Sequence, residues 1–469
     1  AATYKKQYRF SYSYLKDEFL AQDALQETYV IDLDYLDEIT TLNYLDRVGS
    51  TCNAYMYCLV GGFKKVFKKE ESNPYQKLYM IIGIAAGVFL CAWSFFYILG
   101  TLKVFCFIAG TFLILFSIRM KVLDFDFKII ILTIAFFLIS FHDAVFELPD
   151  ETFKVAAPVI AYLLGQVLVG NEKDDMDKRI TFYYIMLMSG AYIHAVWNFV
   201  GGYRQPDFST EAWSEMLTDM FMARTAFEFD FLLTTGAVFF AILQLIKTKK
   251  KVYFLLLLME SVVLFLVIKV EGRYNLCILI GELVLFWLIW IISHLKNSSP
   301  KLKKVFCVST GIIVLLVLAL IVCFNKNIGG LKDLYMQSYF TGGGGVFHNV
   351  RFEIARQGFW IMLDNPNGGA VVCIMDQSNN AHNMWINYGL EFGVTVFLLL
   401  CLFVLFTIID CVKLIIRKSD CATTYLLIGG YIAINVFLFL EAASSLADNA
   451  QQWLFALVLA GMIKQAGNH

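Results

Sequence analysis

Apolar residues along this chain gather into runs of roughly membrane-spanning length and do not show the alternating pattern of strands. An α-helix needs about 20 mostly apolar residues to cross a bilayer, and most of the runs approach that length. We count twelve of them, at 78–99, 103–118, 127–141, 154–170, 180–200, 225–246, 252–268, 274–293, 305–323, 384–409, 422–440 and 451–463. The pattern therefore predicts an all-α polytopic membrane protein with about 12 transmembrane helices.

Composition agrees with a membrane protein, because 59% of the residues are hydrophobic and only 16% are charged. A soluble domain could not bury so much apolar surface. The runs at 127–141 and 154–170 are short, so tilted, broken or re-entrant helices stay open at those positions. The net charge of −1 says nothing about partners, and no nucleic-acid partner is predicted.

Positive charge is distributed unevenly between the polar segments that separate the apolar runs. Residues 1–77 are polar, rich in Tyr and basic towards their end, and we interpret them as a cytoplasmic appendage before a transmembrane domain at 78–469. Every second connection after them is basic: RMKVLDFDFK, NEKDDMDKR, KTKKK, HLKNSSPKLKK and KLIIRKSD. Because Lys and Arg accumulate in cytoplasmic loops, this alternation predicts that both chain termini are cytoplasmic.

One external connection, the loop 324–383, is much longer than the others. Loops of more than about 15 residues are uncommon unless they are functional. It holds a glycine run, TGGGGV at 341–346, followed by a segment whose apolar positions suit an amphipathic helix near the outer surface. Those positions are Phe352, Ile354, Ala355, Phe359, Ile361 and Met362. We expect the sequence DNPNGG that follows to end the helix.

Four ionisable side chains face the external compartment on this topology: Arg224, Arg273, Arg351 and His382. Guanidinium groups stay charged and match phosphate oxygens in pairs, so three of them suit a di-anionic group such as a lipid-linked pyrophosphate. They would also stabilise the charge that develops on a departing pyrophosphate. A neutral histidine at the same place can accept a proton from an attacking hydroxyl.

Each of these residues also has a plainer interpretation. A single arginine at the end of a span commonly reaches towards the lipid headgroups. His382 stands where a helix starts, and Asn380 or Asn383 can simply cap that helix. The glycine run is most often a flexible loop. Both interpretations stay open on the sequence alone.

Two glutamates, Glu260 and Glu282, lie within apolar runs, where a charge is costly unless it faces protein or water. They are the main sign of a transporter. Transporters commonly show two similar halves, however, and the long external loop has no counterpart early in this chain. His142 and His194 lack the spacing of metal ligands, and neither HExxH nor CxxC occurs, so no metal site is predicted.

The stretch from 351 to 397 carries a resemblance to a known family. RFEIARQGFWIMLDNPNGGAVV followed by AHNMWINYGLEFGVTVFLLL resembles the O-antigen ligase and Wzy-type polysaccharide polymerase superfamily. In that family the outer loop runs from an arginine through an aromatic-rich helix and a proline-glycine turn to an HN pair, which leads a span with a Glu-x-Gly element. The matching positions are Arg351, Trp360, Pro366, Gly368, Gly369, His382, Asn383, Glu391 and Gly393.

Two further arginines resemble family positions earlier in the chain. Arg273 in VEGRYNLCILIG is similar to an arginine in a short outer turn, although Gly272 stands where the family usually has a serine. Arg224 in ARTAFEFDFLL is similar to an arginine before an earlier span, and Arg204 competes with it for that position. The segment 1–77 has no counterpart in the family.

The resemblance implies a GT-C-like, metal-independent glycosyltransferase without a cofactor, placed in the bacterial cytoplasmic (inner) membrane with an external, periplasmic active site. Its donor would be an oligosaccharide on undecaprenyl pyrophosphate, held by the arginines. His382 would contact the acceptor hydroxyl or the leaving group. These roles fall to a catalytic set, His382, Arg273 and Arg224, and to further substrate-binding residues, Arg351, Asn383 and Glu391.

Within the family we favour a polymerase, which joins lipid-linked repeat units into an O-antigen, capsule or exopolysaccharide. The alternative is a ligase that moves the finished glycan to lipid A core or to protein, and a 12-span transporter or flippase is the less favoured third possibility. The implied partners are the lipid-linked oligosaccharide, the growing polysaccharide acceptor, the lipid bilayer, a chain-length regulator and a flippase.

Overall fold

The computed structural model describes most of the transmembrane domain and little of the long external loop. The described residues are 74–96, 102–120, 124–145, 151–171, 175–203, 209, 212–214, 221–270, 272, 274–295, 322, 326, 350–369, 381, 383–440 and 446–468. The predicted appendage at 1–77 lies outside them except for its last four residues, and the glycine run at 341–346 lies outside them entirely.

Helices make up nearly all of the described chain. They are α1 (Pro74–Phe95), α2 (Leu102–Met120), α3 (Phe127–Val145), α4 (Glu151–Val169), α5 (Met176–Gly202), α6 (Arg224–Asp230), α7 (Leu232–Thr248), α8 (Val252–Lys269), α9 (Tyr274–Leu295), α10 (Val350–Asp364), α11 (Met384–Phe392), α12 (Val394–Lys418), α13 (Ala422–Leu440) and α14 (Leu446–Gly467). All the predicted apolar runs fall on these helices except 305–323, of which the structure describes only Val322.

Seven of the described helical segments are long and apolar enough to cross a membrane, judged by length and composition. They correspond to α1, α5, α6 continued by α7, α8, α9, α12 and α13. Shorter apolar helices lie within α2, α3, α4 and α14. The protein is therefore a mainly helical, multi-pass membrane protein, as the apolar runs predict.

Two local features depart from the predicted all-helical pattern. Ala212–Ser214 (β1) pairs antiparallel with Phe221–Ala223 (β2) in a short ribbon just before α6. The single run predicted at 384–409 is instead two helices, α11 and α12, which meet at Gly393. Gly393 has a φ of +97°, which an L side chain rarely adopts, and a Cβ there would lie 2.7 Å from Pro366 O in the turn described below.

Glycines let the central helices approach one another closely. A Cβ on Gly461 of α14 would collide with the backbone of Tyr162 in α4, and a Cβ on Gly236 of α7 would collide with Gly430 N of α13. Small residues at helix crossings are common in membrane proteins because van der Waals packing drives helix association there. These crossings fix α13 among its neighbours, and the candidate site is built around the end of that helix.

Opposite ends of the bundle can be told apart by the polar groups that they hold. We call the region around the start of α13 the Lys128 end; there Thr423 Oγ1 donates to Asp177 Oδ1 at the start of α5, at 2.7 Å. The region around the last turn of α13 is the Phe437 end. The two positions on α13 are about 20 Å apart along the helix axis, since an α-helix rises about 1.5 Å per residue.

Candidate functional site

Helix α6 begins at Arg224 and places a buried carboxylate one turn further on. Glu228 is 1% exposed, and its Oε2 accepts a hydrogen bond from Asn275 N at 3.2 Å. Its backbone carbonyl accepts a second bond, from Asn275 Nδ2 at 3.0 Å. A Cβ on Gly272 would lie only 2.6 Å from the same carboxyl group. Glu228 therefore fixes the chain on both sides of Arg273, which itself lies outside the described residues.

A buried histidine pairs with the last residue of α6. His194 Nδ1 lies 2.7 Å from Asp230 Oδ2, and His194 Nε2 lies 2.9 Å from Asn198 Nδ2. All three side chains are at most 1% exposed. The carboxylate can only accept, so this geometry fits an imidazole whose Nδ1–H donates to Asp230 and whose Nε2 accepts from the asparagine amide. These contacts tie α5 to α6, the helix that begins at Arg224.

Asn383 is held through both polar atoms of its side chain. Its Oδ1 accepts from Ile386 N at 3.0 Å, the usual N-cap arrangement, and its Nδ2 donates to Phe439 O at 3.0 Å. On the other side of His382, Ala381 N donates to Asn387 Oδ1 at 2.8 Å. Both chain neighbours of His382 are thus anchored to α11, while His382 itself lies outside the described residues.

The last turn of α13 is where these separate elements meet. The ring of Phe437 lies 5.7 Å from that of Phe229 in α6 and 5.4 Å from that of Tyr274 at the start of α9. Two residues on, Phe439 O accepts the hydrogen bond from Asn383. Three chain segments therefore meet around one helix end: α6, which begins at Arg224 five residues before Phe229, the start of α9 next to Arg273, and Asn383, which follows His382.

The parts of the loop motif also come together. Gly369 N donates to Glu391 O at 2.9 Å, and Val394 N donates to Pro366 O at 3.0 Å. A Cβ on Gly368, whose φ is +85°, would lie 2.5 Å from Glu391 O. The proline-glycine turn at the end of α10 is consequently docked, backbone to backbone, on the junction between α11 and α12.

Helix α10 packs on α11 through the apolar face that the sequence predicts. Ile354 and Met362 are buried together with Ala381 and Leu390, while Trp360 is 60% exposed. The amphipathic helix is thus confirmed, and it brings Arg351, in its first turn, to the same side of the bundle as α11.

The structure describes four of the six predicted site residues. Arg224 begins α6, Arg351 lies in the first turn of α10, and the side chain of Glu391 is exposed. For Asn383 the structure shows the capping role, and its substrate-binding role stays a prediction, as do the roles of the other five residues.

Sequence reasoning missed the polar groups that position these elements. Glu228 and Asp230 alternate with phenylalanines in ARTAFEFDFLL, and His194 and Asn198 share a helix face at a spacing of four residues. Those patterns were visible, but the partners lie up to 47 residues apart, so spacing alone could not pair them. Among the described residues, no group of three or more His, Cys, Asp or Glu comes together in a way that could hold a metal ion.

No protein-family model matches this chain, and no curated protein matches it.

Proposed function

We propose that this protein is a membrane glycosyltransferase that joins undecaprenyl-pyrophosphate-linked repeat units into a surface polysaccharide. The observation that carries the proposal is the meeting of three chain segments around the last turn of α13. Those segments hold Arg224, Arg273 and His382, which are far apart in the sequence. Their convergence is what a site for one pyrophosphate and one attacking hydroxyl requires.

Pyrophosphate binding suits the way these segments are supported. A guanidinium can bind two phosphate oxygens at once, and it loses less conformational freedom in doing so when its backbone is already held in position. Glu228 supplies that support on both sides of Arg273, through Gly272 and Asn275. The carboxylate is already bonded to the backbone, which favours a positioning role for Glu228 and leaves the anion to the arginines.

The reaction uses one proton transfer and one displacement. The oxygen of an acceptor sugar hydroxyl attacks the anomeric carbon of the donor, the bond from that carbon to the pyrophosphate oxygen breaks, and undecaprenyl pyrophosphate leaves. His382 accepts the hydroxyl proton. Arg224, Arg273 and Arg351 stabilise the charge that builds on the leaving pyrophosphate. Asn383 and Glu391 complete the substrate site, and neither a metal nor a cofactor takes part.

The distribution of basic residues favours an external site. Lys178, Lys413 and Arg417 belong to connections or helix ends at the Lys128 end of the bundle. Positive charge marks the cytoplasmic side, so the Phe437 end faces outward in a bacterial cytoplasmic membrane. We propose about 12 spans with both termini inside. The lipid carrier and the sugar chain then meet at the membrane surface.

Deleting the gene in the producing organism tests the proposal. Single repeat units on the lipid carrier are expected to accumulate, and polymer is expected to disappear. Long chains that remain on the carrier would identify the ligase alternative. An unchanged set of lipid-linked glycans would remove both glycan-joining functions.

A purified system sharpens the test with a matched pair of arginines on one helix. Full-length protein in lipid nanodiscs is supplied with undecaprenyl-pyrophosphate-linked repeat units, and polymer length is measured. Arg351→Lys is expected to lose activity. Arg356→Lys on the same helix is the control, because Arg356 is exposed and already forms an ion pair with Glu353. The hydrogen bonds from Arg356 lower the carboxyl pKa of Glu353. Equal activity in the two variants would remove Arg351 from the site.

A transporter is the second candidate, favoured by Glu260 and Glu282, which are buried within α8 and α9. It predicts movement of a lipid-linked or soluble substrate across proteoliposomes without new glycosidic bonds. Substrate movement without polymer formation would replace the glycosyltransferase proposal.

A further inference from the structure

Three hydroxyl groups at the α6–α7 junction are committed as hydrogen-bond donors. Thr234 Oγ1 and Thr235 Oγ1 each donate to the carbonyl three residues earlier, at 2.7 and 2.8 Å. Tyr184 Oη, from α5, donates to Leu233 O at 2.8 Å. A carbonyl oxygen can only accept, so each hydroxyl hydrogen is used there and only lone pairs remain for other neighbours.

Two carboxyl groups lie beside these hydroxyls in the middle of the bundle. Glu260 of α8 is 4% exposed and neighbours Thr234, and Glu282 of α9 is 3% exposed and neighbours Thr235. Among the described residues, none of their four oxygens has a hydrogen-bond partner. Both glutamates lie about 15 Å along the helix axes from the turn between α8 and α9, which is near the middle of a bilayer about 30 Å thick.

In this arrangement the carboxyl oxygens lie beside threonine oxygens that have no hydrogen left to donate. An ionised carboxylate only accepts, and both threonine hydroxyl hydrogens are already donated to backbone carbonyls, so an ionised Glu260 or Glu282 would be desolvated without a donor. A hydrogen on each carboxyl group removes that penalty, because the acid O–H can then donate to the threonine oxygen. Within the described residues, the titratable groups facing the pair are Tyr184 and the two glutamates themselves.

We infer that Glu260 and Glu282 form a proton-binding site inside the helix bundle, with each carboxylic acid donating to a threonine hydroxyl. Each carboxyl group lies beside its own threonine, which suits the binding of two separate protons. A single metal cation would instead gather the oxygens of both carboxyl groups around one point. The site is separate from the glycan site at the Phe437 end and stands whether or not that proposal holds.

Carbodiimide labelling tests for the protons directly. Dicyclohexylcarbodiimide partitions into membranes and adds the O–H of a protonated carboxylic acid across one of its C=N bonds. Full-length protein in nanodiscs at neutral pH is expected to be labelled at Glu260 and Glu282, as mapped by mass spectrometry, with labelling that decreases as pH rises. Absence of label at both, with label present after detergent denaturation at about pH 4, where unfolded glutamates carry their proton, would overturn the proposal. Protection by Na⁺ at constant pH would assign the site to that cation instead.

Thermal unfolding gives an independent readout. A folded state that binds more protons than the unfolded state loses stability as pH rises, so the wild-type melting temperature is expected to fall as pH rises from about 5, just above the pKa of an unfolded glutamate, until the folded-state acids ionise. Glu260→Gln/Glu282→Gln keeps the shape and donates an amide N–H to each threonine, and its melting temperature is expected to depend less on pH. The control Glu353→Gln, at an exposed carboxylate of α10, is expected to retain the wild-type slope. Equal slopes in all three proteins would overturn the proposal.

Discussion

The two ends of the helix bundle use buried polar groups in different ways. At the Lys128 end, charges from distant helices pair with each other: Lys128 Nζ lies 2.6 Å from Asp410 Oδ2, and Lys464 Nζ lies 3.7 Å from Asp126 Oδ2. At the Phe437 end, Glu228 and Asn383 bond to backbone groups beside predicted site residues, and the buried pair His194 and Asp230 joins α5 to α6.

This difference separates a structural network from a positioning network. Ion pairs between side chains hold helices α3, α12 and α14 together and use up their charges in doing so. Side chains that bond to backbone set the course of the loops, which is how a scaffold prepares groups carried on those loops. Substitutions at the Lys128 end should therefore alter stability, and substitutions at the Phe437 end should alter activity.

The largest effect is expected for His382→Ala at the Phe437 end. The substitution removes the proposed proton acceptor, so polymer formation should be abolished while the protein stays in the membrane at its usual level. Polymer on gels and protein in isolated membranes are the two measurements. A full glycan ladder from this variant would leave His382 with no more than a role at the start of α11.

Arg273→Lys compared with Arg417→Lys contrasts the two ends directly. An ammonium cannot bind two phosphate oxygens as a guanidinium does, so Arg273→Lys should lower kcat/KM by about 100- to 1,000-fold. Arg417 donates to Gly467 O at the Lys128 end, and Arg417→Lys should keep activity close to wild type. Rates with lipid-linked repeat units check both, and similar rates for the two variants would end the distinction between the networks.

Lys128→Met is expected to cost stability and leave the activity of the folded protein unchanged. Lys128 is 4% exposed, and losing it removes the 2.6 Å partner of Asp410 and leaves that carboxylate with the exposed Lys413, whose Nζ lies 3.4 Å from Asp410 Oδ1. The free energy of unfolding should fall by about 3 kcal/mol, the usual scale for breaking a buried pair. Thermal unfolding in detergent measures the loss.

A double variant isolates the cause of that loss. Lys128→Met/Asp410→Leu removes both charges and should recover much of the lost stability, because no carboxylate remains that has lost its buried partner. A double variant as unstable as Lys128→Met alone would show that packing, rather than charge, is responsible.

The smallest effect is expected at the cap of α11. Asn383→Ala removes both the bond from Ile386 N and the bond to Phe439 O, whereas Asn383→Ser keeps a capping oxygen. The alanine variant should be less stable than the serine variant by about 1 kcal/mol. Thermal unfolding compares them, and equal melting temperatures would show that the cap contributes nothing measurable.

Helix positions were predictable where burial in lipid alone sets the length of an element. The run at 422–440 matches Ala422–Leu440, and that at 274–293 matches Tyr274–Leu295 closely. The amphipathic helix of the external loop was also predictable, because Ile354 and Met362 repeat at helical spacing. In each case the signal lies within one short stretch of chain.

The break at Gly393 shows where that reasoning fails. Apolar residues continue across it in GLEFGVTVF, so hydrophobicity predicts one long span. The helix is interrupted because Pro366 O, 28 residues earlier in the chain, accepts from Val394 N at that point. Among the candidate site residues, Asn383 likewise could be placed at a helix start from sequence, but its bond to Phe439 could not.

The amino-acid sequence by itself determined that this is a helical membrane protein, where most of its helices lie, and which face of the helix Val350–Asp364 is apolar. Tertiary structure alone decided that His194 meets Asp230, that Glu228 holds the turn before α9, and that Glu260 and Glu282 each face a threonine whose hydrogen is already used. The physical reason is that the two depend on interactions of different range along the chain. Helix formation in lipid depends on local hydrophobicity and backbone hydrogen bonding. Pairing of polar groups depends on which helices pack together, and short sequence patterns do not record that.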